Sequence, residues 1–390
     1  MKICICSDGY PSEGLPYSSF IQVLAREMVR QDCEVDVVAP QSLTNHLLRG
    51  GKLAPSYFED RFECKGGEKI IRVYRPWTLS FGEGVFGKWT PRFNRWATEF
   101  TIKKKNIRPD VFYSHFWANG YNVARVARSY NTPFFVATGE DKINITDFIS
   151  AEEIGRINTE TTGVICVSSK NKEESIRLGL TKEDKCIVLP NAYDPKEFYQ
   201  IEKKIARNEL GFPLDEFIVA FCGRFNHRKG AMRVAAAITQ LDNPHIKSIF
   251  IGSIADNETA QPECEGILFK GNLPHKDIVR YLNCADVFVL PSLAEGCPNS
   301  VIEAMACGLP IISSDLPFNS DILSNLTSIL IDPNNIEQIA DAINRVYENK
   351  ALQAKLSDAS ILMSETLKIN NRVAKILKFI SDSHEKKQCL

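Results

Sequence analysis

Two glutamates separated by seven residues mark the segment with the densest chemical signal, Glu295-Gly-Cys-Pro-Asn-Ser-Val-Ile-Glu303. The pattern predicts a strand ending near Pro291, a turn-rich loop, and a helix that begins near Ser300. The start of a helix presents unpaired N–H groups and a partial positive charge, so this loop suits an anion such as a diphosphate. Glu303, just inside the helix, is placed to accept hydrogen bonds from a ribose diol. The local alternative is a capping box formed by Ser300 and Glu303.

A second loop, rich in glycine and basic residues, follows another predicted strand in the run Phe221-Cys-Gly-Arg-Phe-Asn-His-Arg-Lys-Gly230. It brings Arg224 and Lys229 together where a strand ends and a helix begins. Cations at a phosphate-binding loop would neutralise the charge that develops on a departing diphosphate. The local alternative is a solvated basic turn, because surface charge costs little.

The elements that must position these loops alternate between strand and helix. KICIC predicts a buried strand, and the apolar residues between 21 and 29 recur at helical spacing. Further strands are predicted at 69–75, 110–115, 133–138, 163–168 and 185–190. β-Branched strands joined by helices favour a parallel, doubly wound sheet.

A turn-rich stretch at 190–195 interrupts this alternation. It then restarts, with strands predicted at 217–223, 247–252, 266–271, 286–291, 310–314 and 328–332. We therefore expect an α/β protein with two Rossmann-like doubly wound domains that face a central cleft. The expected limits are an N-terminal domain at 1–194, a C-terminal domain at 195–365, and a helix at 366–390 that returns to the N-terminal domain.

The composition excludes several classes of protein. The chain has 390 residues, 44% apolar and 24% charged, which excludes a disordered chain, a collagen-like fibre and a coiled coil. The net charge of -1 gives no overall footprint for nucleic acid. No apolar stretch reaches the roughly 18 residues of a spanning helix and no signal peptide opens the chain, so we expect a cytoplasmic protein. The 12 cysteines include no Cys-x-x-Cys pair and are expected to be reduced core residues.

Together these segments resemble the retaining glycosyltransferases of family 4, which have the two-domain GT-B fold. The resemblance rests on the Glu-x7-Glu segment ending in EAMACGLPII, the CGRFNHRKG loop, and VLPNAYD at the hinge. Further matches are KICICSDGYPSEG, VFYSHFWANG, GVICVSS, GNLPHKDIVRYLNCADVFVLPS and SILIDPNNIEQIADAI. The resemblance covers nearly the whole chain and implies transfer of a sugar from a nucleoside diphosphate, with retention at the anomeric carbon.

The resemblance also implies a role for each matching position. Arg224 and Lys229 correspond to the pair that holds the diphosphate, and Glu295 is expected near the transferred sugar, so these three are the expected catalytic residues. Glu303 is expected to bind the donor ribose. Leu273 corresponds to the segment whose backbone meets the base. The other implied donor-binding positions are Gly14, Gly223, Gly296, Cys297, Pro298, Asn299 and Ser300.

The chain departs from the family pattern at two places in its first half. The first loop, EGLPYS, carries one glycine where the family has two adjacent ones, and the run ATGED lacks the family's His-Gly. Glu140 or Asp141 is therefore expected to approach the acceptor, with His115 as the nearest remaining histidine. The alternative for a lone histidine at a strand end is a structural role.

The implied chemistry needs cations more than a general acid, because the leaving diphosphate already carries charge. Its oxygen would take the acceptor proton on the same face, unlike the paired-carboxylate mechanism of retaining glycosidases. No Asp-x-Asp signature follows a strand, so no metal and no cofactor are expected. The expected substrates are a nucleoside-diphosphate sugar, UDP ahead of GDP, and a saccharide or lipid-linked acceptor in surface polysaccharide biosynthesis.

A basic and aromatic segment lies in the first half of the chain. Residues 61–108 hold 12 Lys or Arg against four Glu, and a helix is predicted with Phe93, Trp96, Ala97 and Phe100 on one face. One interpretation is peripheral attachment to an anionic surface, at the inner face of the cell membrane. The other is a stripe that faces the core, with Lys103–Lys105 suiting the helix C-terminus.

Two rival functions stay open. A catalytically silent nucleotide-sugar-binding protein fits the missing histidine, and donor hydrolysis or transfer would exclude it. A GT-B nucleotide-sugar epimerase or phosphorylase would lack a separate saccharide acceptor and need not keep the Glu-x7-Glu motif. A nicotinamide enzyme fits poorly, because no G-x-G-x-x-G follows the first strand.

Overall fold

The computed structural model describes residues 1–13, 15, 18–64, 66–81, 86–254 and 261–388. The chain divides into two compact units: unit 1 comprises Met1–Leu189 with Arg372–Leu390, and unit 2 comprises Pro190–Asn371. The chain thus leaves unit 1, builds unit 2, and re-enters unit 1. The predicted limits after residues 194 and 365 remain predictions beside this observed division.

Unit 1 is built on an eight-stranded sheet of order β10-β9-β8-β7-β1-β2-β5-β4. All neighbouring pairs are parallel except the β4–β5 pair. A separate two-stranded sheet pairs β3 with β6. The strands are β1 Lys2–Cys6, β2 Glu34–Val38, β3 Gln41–Ser42, β4 Tyr57–Cys64, β5 Gly67–Tyr74, β6 Trp77–Thr78, β7 Val111–His115, β8 Phe134–Thr138, β9 Gly163–Cys166 and β10 Cys186–Val188.

The central strands of unit 1 are buried along their whole length because helices cover both faces of a parallel sheet. Strands β7, β8 and β9 are buried at every position. The helices of this unit are α1 Ser19–Arg30, α2 Leu43–Arg49, α3 Thr90–Lys104, α4 Trp117–Tyr130, α5 Ala151–Glu160 and α6 Ser169–Arg177.

The chain's last helix completes unit 1 through an aromatic contact. The ring of Phe379 packs edge-on against Phe135 of β8, with centroids 5.9 Å apart. The neighbouring strand carries Gly163, where a Cβ atom would lie 2.8 Å from both rings. Glycine at this position therefore makes the room in which the helix docks.

Unit 2 has a six-stranded parallel sheet of order β13-β12-β11-β14-β15-β16. In chain order this is 3-2-1-4-5-6, so the strand order reverses between β11 and β14. The strands are β11 Phe217–Cys222, β12 Ile246–Ile251, β13 Ile267–Gly271, β14 Val287–Leu290, β15 Ile311–Ser314 and β16 Ile329–Ile331. The helices are α7 Lys203–Leu210, α8 Ala231–Leu241, α9 His275–Cys284, α10 Asn299–Ala306, α11 Ile336–Glu348 and α12 Lys350–Thr366, and α13 Ile369–Gln388 leads back to unit 1.

Candidate active site

The two loops singled out in the sequence leave neighbouring strands at the reversal point of the unit 2 sheet. Open α/β sheets bind ligands at such a point, outside the carboxyl ends of the strands. The loop after β11 ends at Gly230, whose φ is +83° and whose Cβ position would lie 2.8 Å from the Pro291 carbonyl oxygen. The Leu293 N–H donates a 2.8 Å hydrogen bond to the Arg228 carbonyl. Glycine at 230 thus lets the two loops touch through their backbones.

Glu295 lies at the centre of this contact. Its side chain is 9% exposed, and Lys229 Nζ lies 2.6 Å from Oε1. Arg228 Nη1 lies 3.4 Å from Oε2, and the Ser292 hydroxyl donates a 2.7 Å hydrogen bond to Oε1. A buried carboxylate needs such compensation, because desolvating an unpaired charge is costly. The arrangement holds two cations at the mouth of the loops.

The structure places the two expected phosphate-binding cations differently. The side chain of Lys229 is 17% exposed and is directed toward Glu295. Arg224, directly after Gly223 and the end of β11, is exposed. Sequence reasoning missed Arg228, which also donates to the Ala294 carbonyl at 2.5 Å. Arg228 lies between Arg224 and Lys229 in the sequence, in the run HRKG, and this position could have identified it.

Glu303 faces a histidine rather than the start of its own helix. Helix α10 begins at Asn299 with Pro298 at the N-cap position, and no side chain caps it. The capping-box alternative is therefore wrong. The Glu303 carboxylate, 13% exposed, instead lies 3.3 Å from His275 Nε2.

His275 opens helix α9 and was not identified from the sequence. Its Nδ1 lies 3.3 Å from Glu197 Oε2, so the ring stands between two carboxylates. Hydrogen bonds to Glu197 and then to Glu303 raise the pKa of His275 to about 10. Because these three residues are widely separated along the chain, no spacing rule brings them together.

The remaining donor positions expected in unit 2 differ in their burial. Residues 296–298 are buried, Asn299 is exposed, Ser300 is half-buried, and Leu273 is half-buried between β13 and α9. The Asn191 amide donates to the Cys297 carbonyl at 3.2 Å and to Asn299 Oδ1 at 2.8 Å, which ties the hinge segment to this loop. Burial raises the pKa of the Cys222 thiol to about 12.

The expected positions of unit 1 have a different character. Gly14 lies outside the described residues. Glu140 accepts hydrogen bonds from the Trp117 N–H, the Gly139 N–H and the Thr138 hydroxyl at 2.7–2.8 Å. Burial raises its pKa, and these donors oppose the rise. Glu140 thus orders the end of β8, and Asp141 beside it is exposed.

His115 is enclosed at the end of β7. Its ring lies 4.6 Å from that of Phe116 and 5.0 Å from that of Phe20, measured between centroids. Burial, followed by the charge of Arg372, lowers the pKa of His115 to about 3. No described residue hydrogen-bonds to its Nδ1. The ring is therefore neutral at ordinary pH.

A polar pocket of about 480 Å³ opens at the carboxyl ends of β1 and β2 in unit 1. Asn119 donates to Asp8 Oδ1 at 2.8 Å, and Asn122 donates to Asn119 Oδ1 at 3.2 Å. Asn122 is 3% exposed, and none of the described residues hydrogen-bonds to its Oδ1. Two cations, Lys52 and Arg75, also line the pocket. Hydroxyl, amide and imidazole groups supply most of the remaining polar lining, at Ser7, Gln41, Ser42, Asn45, His46, Thr78, Ser80 and Asn94.

Helix α3 presents its aromatic side chains to the surface. Trp96 is 62% and Phe100 48% exposed, whereas Ala97 and Ile102 are buried. The expectation that Ala97 shares a face with Trp96 and Phe100 is therefore wrong, and so is the core-facing interpretation of the stripe. One helical turn separates Trp96 from Phe100, and Ala97 lies on the buried side of the helix.

Metal-binding clusters and membrane-spanning helices are both absent from the described part of the chain. It contains no group of three or more His, Cys, Asp or Glu side chains arranged to hold a metal ion. Across the same residues, no helix is long and apolar enough to cross a bilayer.

Two family models match the chain, one after the other. The model described as Glycosyltransferase Family 4 matches residues 18–197, and the model described as Glycosyl transferases group 1 matches residues 202–363. The chain is therefore a GT-B glycosyltransferase of the family 4 type. The predicted fold class, two Rossmann-like doubly wound α/β domains, is confirmed.

Particular proteins are similar to this chain. The chain is 28% identical over 374 residues to the putative teichuronic acid biosynthesis glycosyltransferase TuaC of Bacillus subtilis (strain 168), covering 92% of each chain. It is 28% identical over 229 residues to the UDP-Gal:alpha-D-GlcNAc-diphosphoundecaprenol alpha-1,3-galactosyltransferase of Escherichia coli, covering 55% of this chain and 59% of that one. The solved structure of sucrose-phosphate synthase from Thermosynechococcus elongatus is similar with a TM-score of 0.76 at 18% identity, covering 99% of both chains.

Proposed function

We propose that the protein is a retaining, metal-independent glycosyltransferase that moves a hexosyl group from a UDP-linked sugar to a saccharide or lipid-linked acceptor in surface polysaccharide biosynthesis. The observation that carries the proposal is the convergence of Lys229 and Arg228 on Glu295 at the reversal point of the unit 2 sheet. It supplies fixed cations where a leaving diphosphate develops charge. Arg224, exposed on the same loop, adds a third.

The chemistry needs no general acid on the protein. The bond between the anomeric carbon and the diphosphate oxygen breaks, and the acceptor oxygen forms its bond on the same face of the sugar. The acceptor proton passes to the departing diphosphate oxygen. The surrounding residues stabilise charge and exclude water, and Glu295 is placed to contact the sugar hydroxyls. This division of labour also requires no metal.

The choice of donor and acceptor is supported by the relatives' names. The Escherichia coli relative is described as using UDP-Gal and a diphosphoundecaprenol acceptor, and the Bacillus subtilis relative as acting in teichuronic acid biosynthesis. In unit 1, the pocket beside Asp8, Asn119 and Asn122 offers neutral donors and acceptors that suit the hydroxyls of a saccharide. We assign the acceptor to this pocket, since Glu140 and His115 are enclosed by their own unit.

A membrane surface is the proposed place of action, at the inner face of the cell membrane. Seven Trp or Phe side chains are among the exposed large apolar residues that the structure describes, and six of them fall in the segment 77–100. They are Trp77, Phe81, Phe86, Trp89, Trp96 and Phe100. Lys103, Lys104 and Lys105 follow them and are exposed. Aromatic side chains next to lysines suit the interface of an anionic bilayer.

Ligand binding is the first experiment. The melting temperature of the purified protein would be measured in the presence of UDP, GDP, ADP or CDP, and then in the presence of UDP-linked or GDP-linked sugars. A ligand that binds only the native state stabilises it by roughly 2.7 kcal/mol at a hundredfold excess over Kd. We expect UDP to give the largest shift among the diphosphates. A larger shift with GDP would overturn the choice of base.

Turnover is the second experiment. The preferred UDP-sugar would be incubated with a lipid-linked saccharide, with and without EDTA, and the anomeric configuration of the product read by NMR. We expect transfer with the donor's configuration kept and no loss with EDTA. An inverted product would contradict retention, and loss in EDTA that Mg²⁺ restores would contradict metal independence. Binding without transfer or hydrolysis would leave the silent binder as the better assignment.

A further inference from the structure

His275 joins two carboxylates that are far apart in the sequence. It is the first residue of helix α9, and its two ring nitrogens each lie 3.3 Å from a carboxylate oxygen, of Glu197 and of Glu303. The ring of Phe198 packs edge-on against the imidazole with centroids 5.1 Å apart. The orientation of the ring is therefore held on three sides.

The geometry favours a charged ring. A neutral imidazole has one N–H donor and one lone pair, so it would turn the lone pair toward one of the two carboxylates. Only the imidazolium donates to both Glu197 and Glu303. The raised pKa of His275 has the same cause.

The Glu197 end of this chain of contacts is anchored to the protein. The Glu197 N–H donates a 2.9 Å hydrogen bond to the Asp194 carbonyl. Asn283 of helix α9 accepts from the Ile201 N–H at 2.7 Å and donates to the Tyr199 carbonyl at 3.0 Å. The segment that carries Glu197 is thus tied to the helix that carries His275. Glu303 is the end that remains for a ligand.

We propose that His275 is a positioning residue for the nucleotide: held by Glu197, it orients the Glu303 carboxylate to accept both hydroxyls of a ribose diol. The inference rests on the proposed function, in which Glu303 meets the donor ribose. His275 acts through Glu303, which has enough lone pairs to accept from the imidazolium and from two hydroxyls together. Glu197 acts through His275 in turn.

The test compares a nucleotide that has the diol with one that lacks it. Calorimetry would give the Kd of UDP and of 2′,3′-dideoxyuridine 5′-diphosphate for the wild type and for His275→Gln. We expect the substitution to weaken the binding of UDP about tenfold, because the hydrogen bonds from the ribose to the charged Glu303 carboxylate lose their alignment. The dideoxy nucleotide makes no diol contact, so its Kd should rise by less than about twofold. The readout is the ratio obtained when the Kd of the dideoxy nucleotide is divided by the Kd of UDP.

Three further variants separate positioning from other causes. Lys276→Gln removes an exposed positive charge one residue away, and it should change both nucleotides equally and slightly. Glu197→Gln keeps His275 and loosens its anchor, so it should lower the ratio by about twofold. His275→Lys keeps a cation near Glu303, so its ratio should lie between those of His275→Gln and the wild type. Thermal melting of each variant checks that it is folded.

Glu303→Gln distinguishes the two levels of the argument. If this substitution leaves the affinity for UDP unchanged, Glu303 does not bind the ribose and the proposed donor site is wrong. If Glu303→Gln weakens UDP but His275→Gln weakens both nucleotides by the same factor, only the positioning role is overturned. Should His275→Gln fail to fold, an unchanged ratio in Glu197→Gln would overturn that role.

Discussion

The carboxyl ends of the two parallel sheets carry different chemistry. In unit 2, charged side chains from separate loops meet: Lys229 and Arg228 contact Glu295, and His275 contacts Glu303. In unit 1, Glu140 and His115 are enclosed by their own strands and helices. The polar groups that line the unit 1 pocket are mostly amides and hydroxyls.

This difference matches the charges of the two proposed substrates. A diphosphate needs cations that are already fixed, because reorganising charge during the reaction adds to the barrier. A saccharide needs many hydrogen-bonding partners, and amide and hydroxyl groups outnumber the charged Asp8, Lys52 and Arg75 in the lining of the unit 1 pocket. The same sheet architecture thus serves two kinds of ligand through the loops at one edge.

The largest effect should come from breaking the charged site of unit 2. Lys229→Ala should lower turnover by about 10²–10³, as for the loss of a preorganised electrostatic donor. Steady-state kinetics with a saturating UDP-sugar would measure it. Lys203→Ala is the matched control, because its Nζ also lies 2.6 Å from a carboxylate, Asp286 at the opposite end of β14. Equal turnover losses in the two variants would refute the special role of Lys229.

The aromatic surface of unit 1 should respond to a change in apolarity. We expect the double variant Trp96→Ser, Phe100→Ser to bind vesicles of phosphatidylcholine and phosphatidylglycerol about tenfold more weakly, because two exposed rings no longer enter the interface. Flotation would measure the bound fraction, and turnover on a water-soluble acceptor should be unchanged.

The control for this surface carries substitutions elsewhere in unit 1. Tyr57→Ser, Ile70→Ser removes two side chains that are 42% and 41% exposed on the β4–β5 pair. Weakening by both double variants to the same extent would count against a localised attachment surface. Equal binding of the wild type to neutral and anionic vesicles would remove the contribution of the lysines.

A smaller effect should come from the polar pocket of unit 1. Asn122→Ala should raise the KM for the acceptor about threefold to tenfold, as expected for a lost hydrogen bond, and leave the KM for the donor unchanged. Initial rates at varied acceptor concentration would show it. Ser129→Ala, at an exposed position near the end of the same helix, serves as the control. A rise confined to the donor KM would reverse the assignment of the two units.

The smallest effect concerns pH. The pKa of His115 is lowered to about 3 in the folded chain, so the unfolded chain binds its proton first as the pH falls below roughly 6.5. The free energy of unfolding should therefore decrease from that pH down toward 3. Replacement by Gln removes this loss. At pH 5 we expect the Tm of wild type to have fallen by about 3–5 °C more than that of His115→Gln, relative to pH 7.5.

Glu140 does not confuse this comparison, because its own titration is present in both proteins and cancels. Differential scanning calorimetry at several pH values would supply the two curves. Parallel curves for His115→Gln and wild type would show that the histidine is protonated in the folded chain.

The sequence was informative where chemistry and local pattern coincide. Both donor loops were found because glycine, proline and charge cluster at the ends of apolar strands, and the β-α alternation predicted both sheets. The strands at 57–64 and the short pair of β3 and β6 were not predicted, since polar residues interrupt their alternation.

The remaining features depend on packing between distant residues. His275 gains its role from Glu197 and Glu303, and no local pattern shows that contact. In helix α3, periodicity groups Trp96 with Ala97, but the packing of the helix against the rest of unit 1 decides which of them is buried. The sequence gives no sign that the Glu140 side chain is already bound, whereas in the structure three donors of its own unit hydrogen-bond to its carboxylate.

The re-entry of the chain into unit 1 has a consequence for the order of events during synthesis. Unit 2 is one continuous stretch of chain, Pro190–Asn371, and can fold as soon as it has left the ribosome. Unit 1 lacks Phe379 until all of unit 2 has been synthesised, so the surface beside Phe135 and Gly163 stays uncovered meanwhile. A fragment that stops at residue 189 would keep that apolar surface permanently, and a separately supplied peptide of 372–388 should be able to cover it.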